Sequence, residues 1–379
     1  MSSLEHLPAP IFIARPAALE RLARLLQQET IIAVDTESNS LYAYQEQVCL
    51  IQFSTLSHDY LVDPLALRDL SCLGHIFSDP QIEKVFHAAE YDLICLRRDF
   101  GFEFASIFDT MIAARILGRA EVGLGAILEA EFRVRLDKRY QRANWGRRPI
   151  PPELLAYAQL DTHYLIRLRE RLQRDLKEKS FWPLACEDFQ RMGTTNGRPA
   201  ENKGDDFWRI NGARDLAPQN AAVLKELWRY RDHMARATNR PLFKVIGDRT
   251  LLAIAERCPN EAGELRQIPG MTSGQMARHG RELLAAVQKG LRAKPLYPPH
   301  LNRPDDKHLE RFESLRNWRK TTARHMGVPS DVVLPRDLML LLAELNPRKP
   351  GDLSKIMEGV PWRLEHFGEQ ILAVLLSAR

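Results

Sequence analysis

Up to about residue 115 the chain repeats one local pattern: a short apolar run rich in β-branched residues, then a stretch of helical period. The first such run is Ile31-Ile32-Ala33-Val34, ending in Asp35-Thr36-Glu37. VCLIQFST (48–55) and DYLVDP (59–64) follow, separated by a turn at Ser57-His58-Asp59. KVFHAA (84–89) and SIFDT (106–110) come next, alternating with helical periods over 66–77, 92–100 and 111–117. Runs at hairpin spacing followed by strand–helix alternation predict a mixed α/β sheet rather than a bundle or an all-β sandwich. A helix is expected before the first strand, over 16–29, with Pro16 in its first turn. One long helix is expected over 151–179, opened by Pro151 and Pro152.

Composition changes near residue 193. GTTNGRPAENKGDD (193–206) is rich in Gly, Asn, Thr and charge, and everything after it reads as helix. A second break falls at KPLYPPHLNRPDD (294–306), where four prolines argue for an extended connector. The expected division is an α/β domain over 1–193, a linker over 194–212, a helical domain over 213–293, a linker over 294–307 and a second helical domain over 308–379. The two helical segments match without a gap at an offset of 88 residues: Leu227 with Leu315, Tyr230 with Trp318, Arg231 with Arg319, Pro241 with Pro329, Val245 with Val333, and Pro259 with Pro347. A duplicated domain of about 70 residues follows from that register.

Bulk properties set the class. At 379 residues the chain exceeds one ordinary core. Hydrophobic residues at 45% and charged residues at 27% describe a folded, soluble chain. No apolar run approaches a bilayer span, and the N-terminus has no secretory pattern, so a cytoplasmic address is expected. The net charge of +5 is compatible with a polyanionic partner. The five cysteines form no metal-ligand spacing and fit a reducing compartment. Coiled-coil heptads are absent, and a monomer is expected.

Asp35 and Glu37 lie two apart at a strand end, so their carboxylates share a face. Two like charges side by side call for a hard cation. Asp92 falls in the first helical turn after His87-Ala88-Ala89-Glu90-Tyr91. Tyr157 and Asp161, four apart on a helix, point the same way. Alone, each element also fits an ordinary role: an acidic strand end, an acid at a helix N-terminus, a surface pair. Between Arg133 and Arg148, basic residues including Lys138 and Arg142 interleave with Tyr140 and Trp145, as either a phosphate track with stacking groups or a solvated loop around a buried Trp would. Trp228, Arg229, Tyr230, Arg231 and Lys244 form a comparable set in the first helical segment, although aromatic residues at such positions of a small bundle are more often core.

Taken in order, DxE, HxAxxDxxxL and YxxxD make up the DEDDy exonuclease pattern, and the chain resembles the ribonuclease D family. Leu50-Ile51-Gln52, Phe108-Asp109-Thr110, Leu136-Asp137-Lys138, Trp145 and Arg148-Pro149 agree with it. The helical segments look like tandem HRDC domains. The resemblance implies an RNase H-like mixed five-stranded sheet with helices on both faces, followed by two all-α bundles. It implies two divalent ions, Mg2+ or Mn2+, held by Asp35, Glu37, Asp92 and Asp161, with Tyr157 orienting the attacking water. It implies 3′→5′ trimming of RNA such as tRNA precursors. Substrate contacts are then expected from Glu37, Leu41, Tyr42, His87, Lys138, Arg142, Trp145 and Arg148. Ser38 stands where the family often has an aromatic residue, and Asn144 where it often has an acid. The same chemistry on DNA, or a non-catalytic RNA-binding adaptor, are the competing readings.

Overall fold

The structure, a computed structural model, describes residues 7–194, 206–299 and 305–378. Two compact units divide the chain. One comprises residues 1–37, 48–197 and 303–379, the other residues 38–47 and 198–302.

The first unit is built on a sheet. In chain order its elements are β1 (Ile11–Ile13), α1 (Pro16–Leu26), β2 (Ile31–Ser38), β3 (Val48–Ser54), β4 (Asp59–Val62), α2 (Ser71–Ser78), β5 (Glu83–Phe86), α3 (Glu90–Phe100), β6 (Ile107–Asp109), α4 (Thr110–Ile116), α5 (Leu124–Phe132), α6 (Pro152–His163), α7 (Leu165–Glu178) and α8 (Trp182–Thr194). The strand order is β1-β4-β3-β2-β5-β6, so β2 lies inside the sheet. The pairs β2–β5, β5–β6 and β1–β4 are parallel, and β3–β4 is antiparallel. Alternation along β2 sends Ile32 and Val34 into a core with α1, α2 and α3, and Ala33 into a core with α4, α7 and α8. Both faces are therefore covered by helices.

Two expectations need correction. The sheet has six strands among the described residues, not five. The extra strand, β1, pairs Ile11 with Tyr60 and Ile13 with Val62. Three residues are too few to display a period, and Ile11 and Phe12 stay exposed at the sheet edge. The long helix expected over 151–179 is two helices that meet at Tyr164. They cover different ground: α6 runs along β3 and β4, while α7 packs on α4 and β5.

The helical repeats preserve their register in backbone detail. The Arg231 guanidinium donates to the Ile246 carbonyl at 3.2 Å, and Arg319 to the Leu334 carbonyl at 2.9 Å. Pro241 precedes a short helix, Leu242–Val245, as Pro329 precedes Ser330–Val333. Helices Asp248–Arg257 and Arg336–Leu345 both end on a left-handed residue, Cys258 (φ 45°) and Asn346 (φ 47°). Each pair keeps the 88-residue offset. Phe207 and Ile210, inside the expected linker 194–212, belong to the core of the first helical domain. The rest of that stretch over 195–205, and residues 300–304 of the second connector, lie outside the described residues.

Candidate active site

Strand alternation places Asp35 and Glu37 on the β2 face that α6 covers. Asp161 approaches from α6, and oxygens of Asp35, Glu37 and Asp161 all lie within 4.8 Å of one another. Thr36, between the two acids, faces the opposite side, where its hydroxyl donates to Asp92 of α3. Asp92 is not part of the close triplet, but its charge helps raise Glu37 and Asp161, and the Asp35 charge raises Asp92 in turn. Acids separated by 126 positions of chain are thus gathered at one end of β2.

Among the described residues, no positive charge figures in the shifts of these four acids. Burial and then the Asp161 charge push Asp35 well above the carboxylate range. Burial, Asp35, Asp161 and Asp92 do the same to Glu37. Burial and then Asp35 raise Asp92. Burial lifts Asp161 to about 8, opposed by the Tyr157 hydroxyl bonded to it. An all-oxygen donor set of this kind fits a hard divalent cation, which would return each acid to its ionised form. Tyr157 is itself pushed far up by burial and by the Asp161, Glu37 and Asp35 charges, so its phenol keeps its proton and acts as a donor. Gln141, which sequence reasoning passed over, is hydrogen-bonded to that phenol.

The turn before Asp92 is held from β6 and α4. Asp109 accepts from the Ala89 amide at 2.7 Å and caps α4 through the Met111 and Ile112 amides. Thr110 donates its hydroxyl to the Phe86 carbonyl, so it can only accept from His87 Nδ1, at 2.9 Å. Nδ1 of His87 therefore carries a proton, and burial, which lowers the His87 pKa to about 4, keeps the ring neutral near pH 7.

The remaining expected contacts divide. Lys138 and Arg142 are exposed on a 3-10 segment, Lys138–Arg142. Trp145 does not offer a stacking face: it is 1% exposed and packs beneath Tyr157, ring centroids 6.2 Å apart. Arg148 is likewise committed to the protein, with two 2.7 Å bonds to Asp63 and one to the Cys49 carbonyl. For Trp145 the buried alternative holds, while an Arg near a basic run carries no sequence mark of an inward turn. Leu41 and Tyr42 lie in the segment that packs with the first helical domain, where the Lys244 ammonium sits 4.0 Å over the Tyr42 ring. Trp228 and Tyr230 pack against that domain's core and Arg231 is buried, so Arg229, paired with Glu226 at 2.6 Å, and Lys244 are the members of the basic-aromatic set left on the surface.

Comparison with known proteins gives a consistent picture. The 3′-5′ exonuclease family matches residues 10–177, and the HRDC domain family matches residues 220–287 and 308–375. Protein RRP6-like 3 of Arabidopsis thaliana is 40% identical over 69% of this chain and 32% of its own length. The crystal structure of Escherichia coli RNase D, described as an exoribonuclease involved in structured RNA processing, is 26% identical, covers 97% of this chain and 98% of its own, and superposes with a TM-score of 0.71. The catalytic core of RRP6 from Trypanosoma brucei is 30% identical, covers 76% of this chain and 81% of its own, and gives a TM-score of 0.65. The chain spans only 32–52% of the length of four plant and yeast RRP6 relatives, but 98% of a ribonuclease D from Pseudomonas paraeruginosa.

Proposed function

This chain belongs to the ribonuclease D family of 3′-5′ exonucleases, and from that membership and its acid cage we propose a metal-dependent 3′→5′ exoribonuclease. The observation that carries the reading is the convergence of Asp35, Glu37 and Asp161 within 4.8 Å, with Asp92 close behind them. Two Mg2+ or Mn2+ ions fit this donor set, with Asp35, Glu37, Asp92 and Asp161 as ligands. When bound, such ions supply an acidified water and neutralise charge on the phosphoryl oxygens. Tyr157, a permanent donor beside Asp161, orients the nucleophilic water by hydrogen bond. A phenol with an ordinary pKa of about 10 is already a poor base near neutral pH, and burial raises Tyr157 further. The products are 5′-mononucleotides.

The substrate we propose is RNA with a free 3′ end, tRNA precursors among them. Support comes from the paired HRDC domains and from the likeness to an enzyme of structured RNA processing. Exposed Lys138 and Arg142 are the proposed phosphate contacts, and backbone groups near Glu37 the contacts to the terminal nucleotide. A cytoplasmic monomer completes the proposal. Matched RNA and DNA 3′ overhangs digested side by side test it, with Asp35→Asn and EDTA as controls. RNA should be shortened from its 3′ end, and both controls should abolish that. Faster loss of DNA would move the assignment to a DNA exonuclease. Activity that survives EDTA and Asp35→Asn alike would remove the acid cage from the reaction, and no shortening of either strand with Mg2+ or Mn2+ present would leave only a binding role.

A further inference from the structure

Gln52, in the middle of β3, is wholly buried. Its side chain has one hydrogen bond, from Nε2 to Asp35 Oδ2 at 3.3 Å. Its Oε1, also buried, has no partner among the described residues. A buried amide with half its capacity idle is costly, and a leucine of similar volume would remove the cost. Flanking Ile51 and Phe53 do what apolar residues do in this strand: both enter the core. Packing therefore gives no reason for an amide at position 52, and the Nε2 bond to Asp35 does.

The donors acting on Asp35 are few. Besides the Thr36 amide, Gln52 Nε2 is the donor the structure places on it. A carboxylate surrounded by other carboxylates has no electrostatic reason to hold one rotation. A neutral N–H fixed in a central strand supplies one without adding charge. We propose that Gln52 is a positioning residue of the metal site: it occupies one Asp35 oxygen, sets the plane of the carboxylate, and so presents the remaining lone pairs toward Glu37 and Asp161. Groups that orient a ligand from behind in this way commonly change metal affinity by about 10–100-fold.

This inference rests on the four-acid reading above, and the experiment separates the two. MnCl2 is titrated calorimetrically into the full-length protein and into Gln52→Leu, Gln52→Met and Asp35→Asn variants, and each is melted without metal. The Gln52 variants should bind Mn2+ about 10-fold or more weakly. Their metal-free melting temperatures should equal or exceed the parent's, since the idle amide oxygen is gone. RNA hydrolysis by these variants should recover as Mn2+ is raised. A purely structural role predicts the reverse, lower melting temperatures with unchanged affinity, and that result overturns the proposal. So does failure of both variants to fold. A parent that binds no Mn2+, or an Asp35→Asn protein that binds like the parent, sinks the metal reading itself.

Discussion

Ala88 has φ 62°, a left-handed conformation that costs an L-residue about 1–2 kcal/mol. It sits between His87, tied to Thr110, and Ala89, whose amide Asp109 accepts. That turn sends the chain from β5 into α3 so that Asp92 reaches the end of β2. Ala88→Gly should relieve the conformation and raise stability by up to about 1 kcal/mol, the gain trimmed by the entropy of a glycine in the unfolded chain. Urea midpoints of parent and variant decide this, and a loss of stability would show that the methyl group packs usefully. His87 gives a pH signature. Its folded pKa, about 4, lies below the ordinary histidine value, so the unfolded chain takes up the proton first. Stability from this residue is therefore full above about pH 6.5 and drains away as pH falls toward about 4. The loss amounts to a few kcal/mol. His87→Gln should flatten that part of the profile, which urea melts at pH 7 and pH 5 would reveal as a smaller difference between the two.

Among elements, α6 matters most, because it carries two functional side chains on one face and a polar anchor on the other. Gln159 Nε2 and His163 Nδ1 both reach Asp59 Oδ2, at 2.7 and 2.8 Å, and the Ser54 hydroxyl joins Asp59 Oδ1 at 2.6 Å and Thr162 at 2.7 Å. This buried network fixes the register of α6 against β3 and β4, hence the height of Tyr157 and Asp161 over β2. Asp59→Ala would strand Gln159 and His163, with a loss of about 2–4 kcal/mol expected in denaturant unfolding. A change within about 0.5 kcal/mol would mean that solvent replaces the anchor. The sequence showed the acids and their order because metal chemistry admits few side-chain types and strand or helix spacing sets their direction. It did not show what Asp59 and Gln52 do. Both act through partners distant in the chain, and an Asp after a turn or a Gln within an apolar run has many commoner uses. For the same reason the basic run before α6 was read as one surface, although Arg148 folds inward onto Asp63 and Arg139 pairs with Asp137.

Over the whole molecule, duplication produced two domains with different attachments. The 88-residue register was legible because repeated prolines and an arginine recur in step. The fate of each copy was not, because it depends on residues outside the repeat. The second copy joins the exonuclease sheet in one compact unit, and its Val332 enters the core formed by α4, α7 and α8. Arg363, fully buried, is the centre of that junction. It donates to Glu187 at 2.8 Å, to Asp188 at 2.9 Å and to the Val332 carbonyl at 2.8 Å, while Glu187 also accepts from the Trp362 and Arg363 amides. Burial raises the Glu187 pKa, and Arg363 opposes that rise, so the carboxylate depends on the guanidinium. Removing one partner of such a buried pair costs about 3–5 kcal/mol, whereas replacing both by groups of similar shape is often neutral. Arg363→Met should therefore lower the calorimetric transition of the exonuclease sheet itself, and Glu187→Gln added to it should restore a good part of the loss. If Arg363→Met instead shifted a separate, small transition and left the main one in place, the second helical domain would be an appended bundle and not a wall of the exonuclease fold.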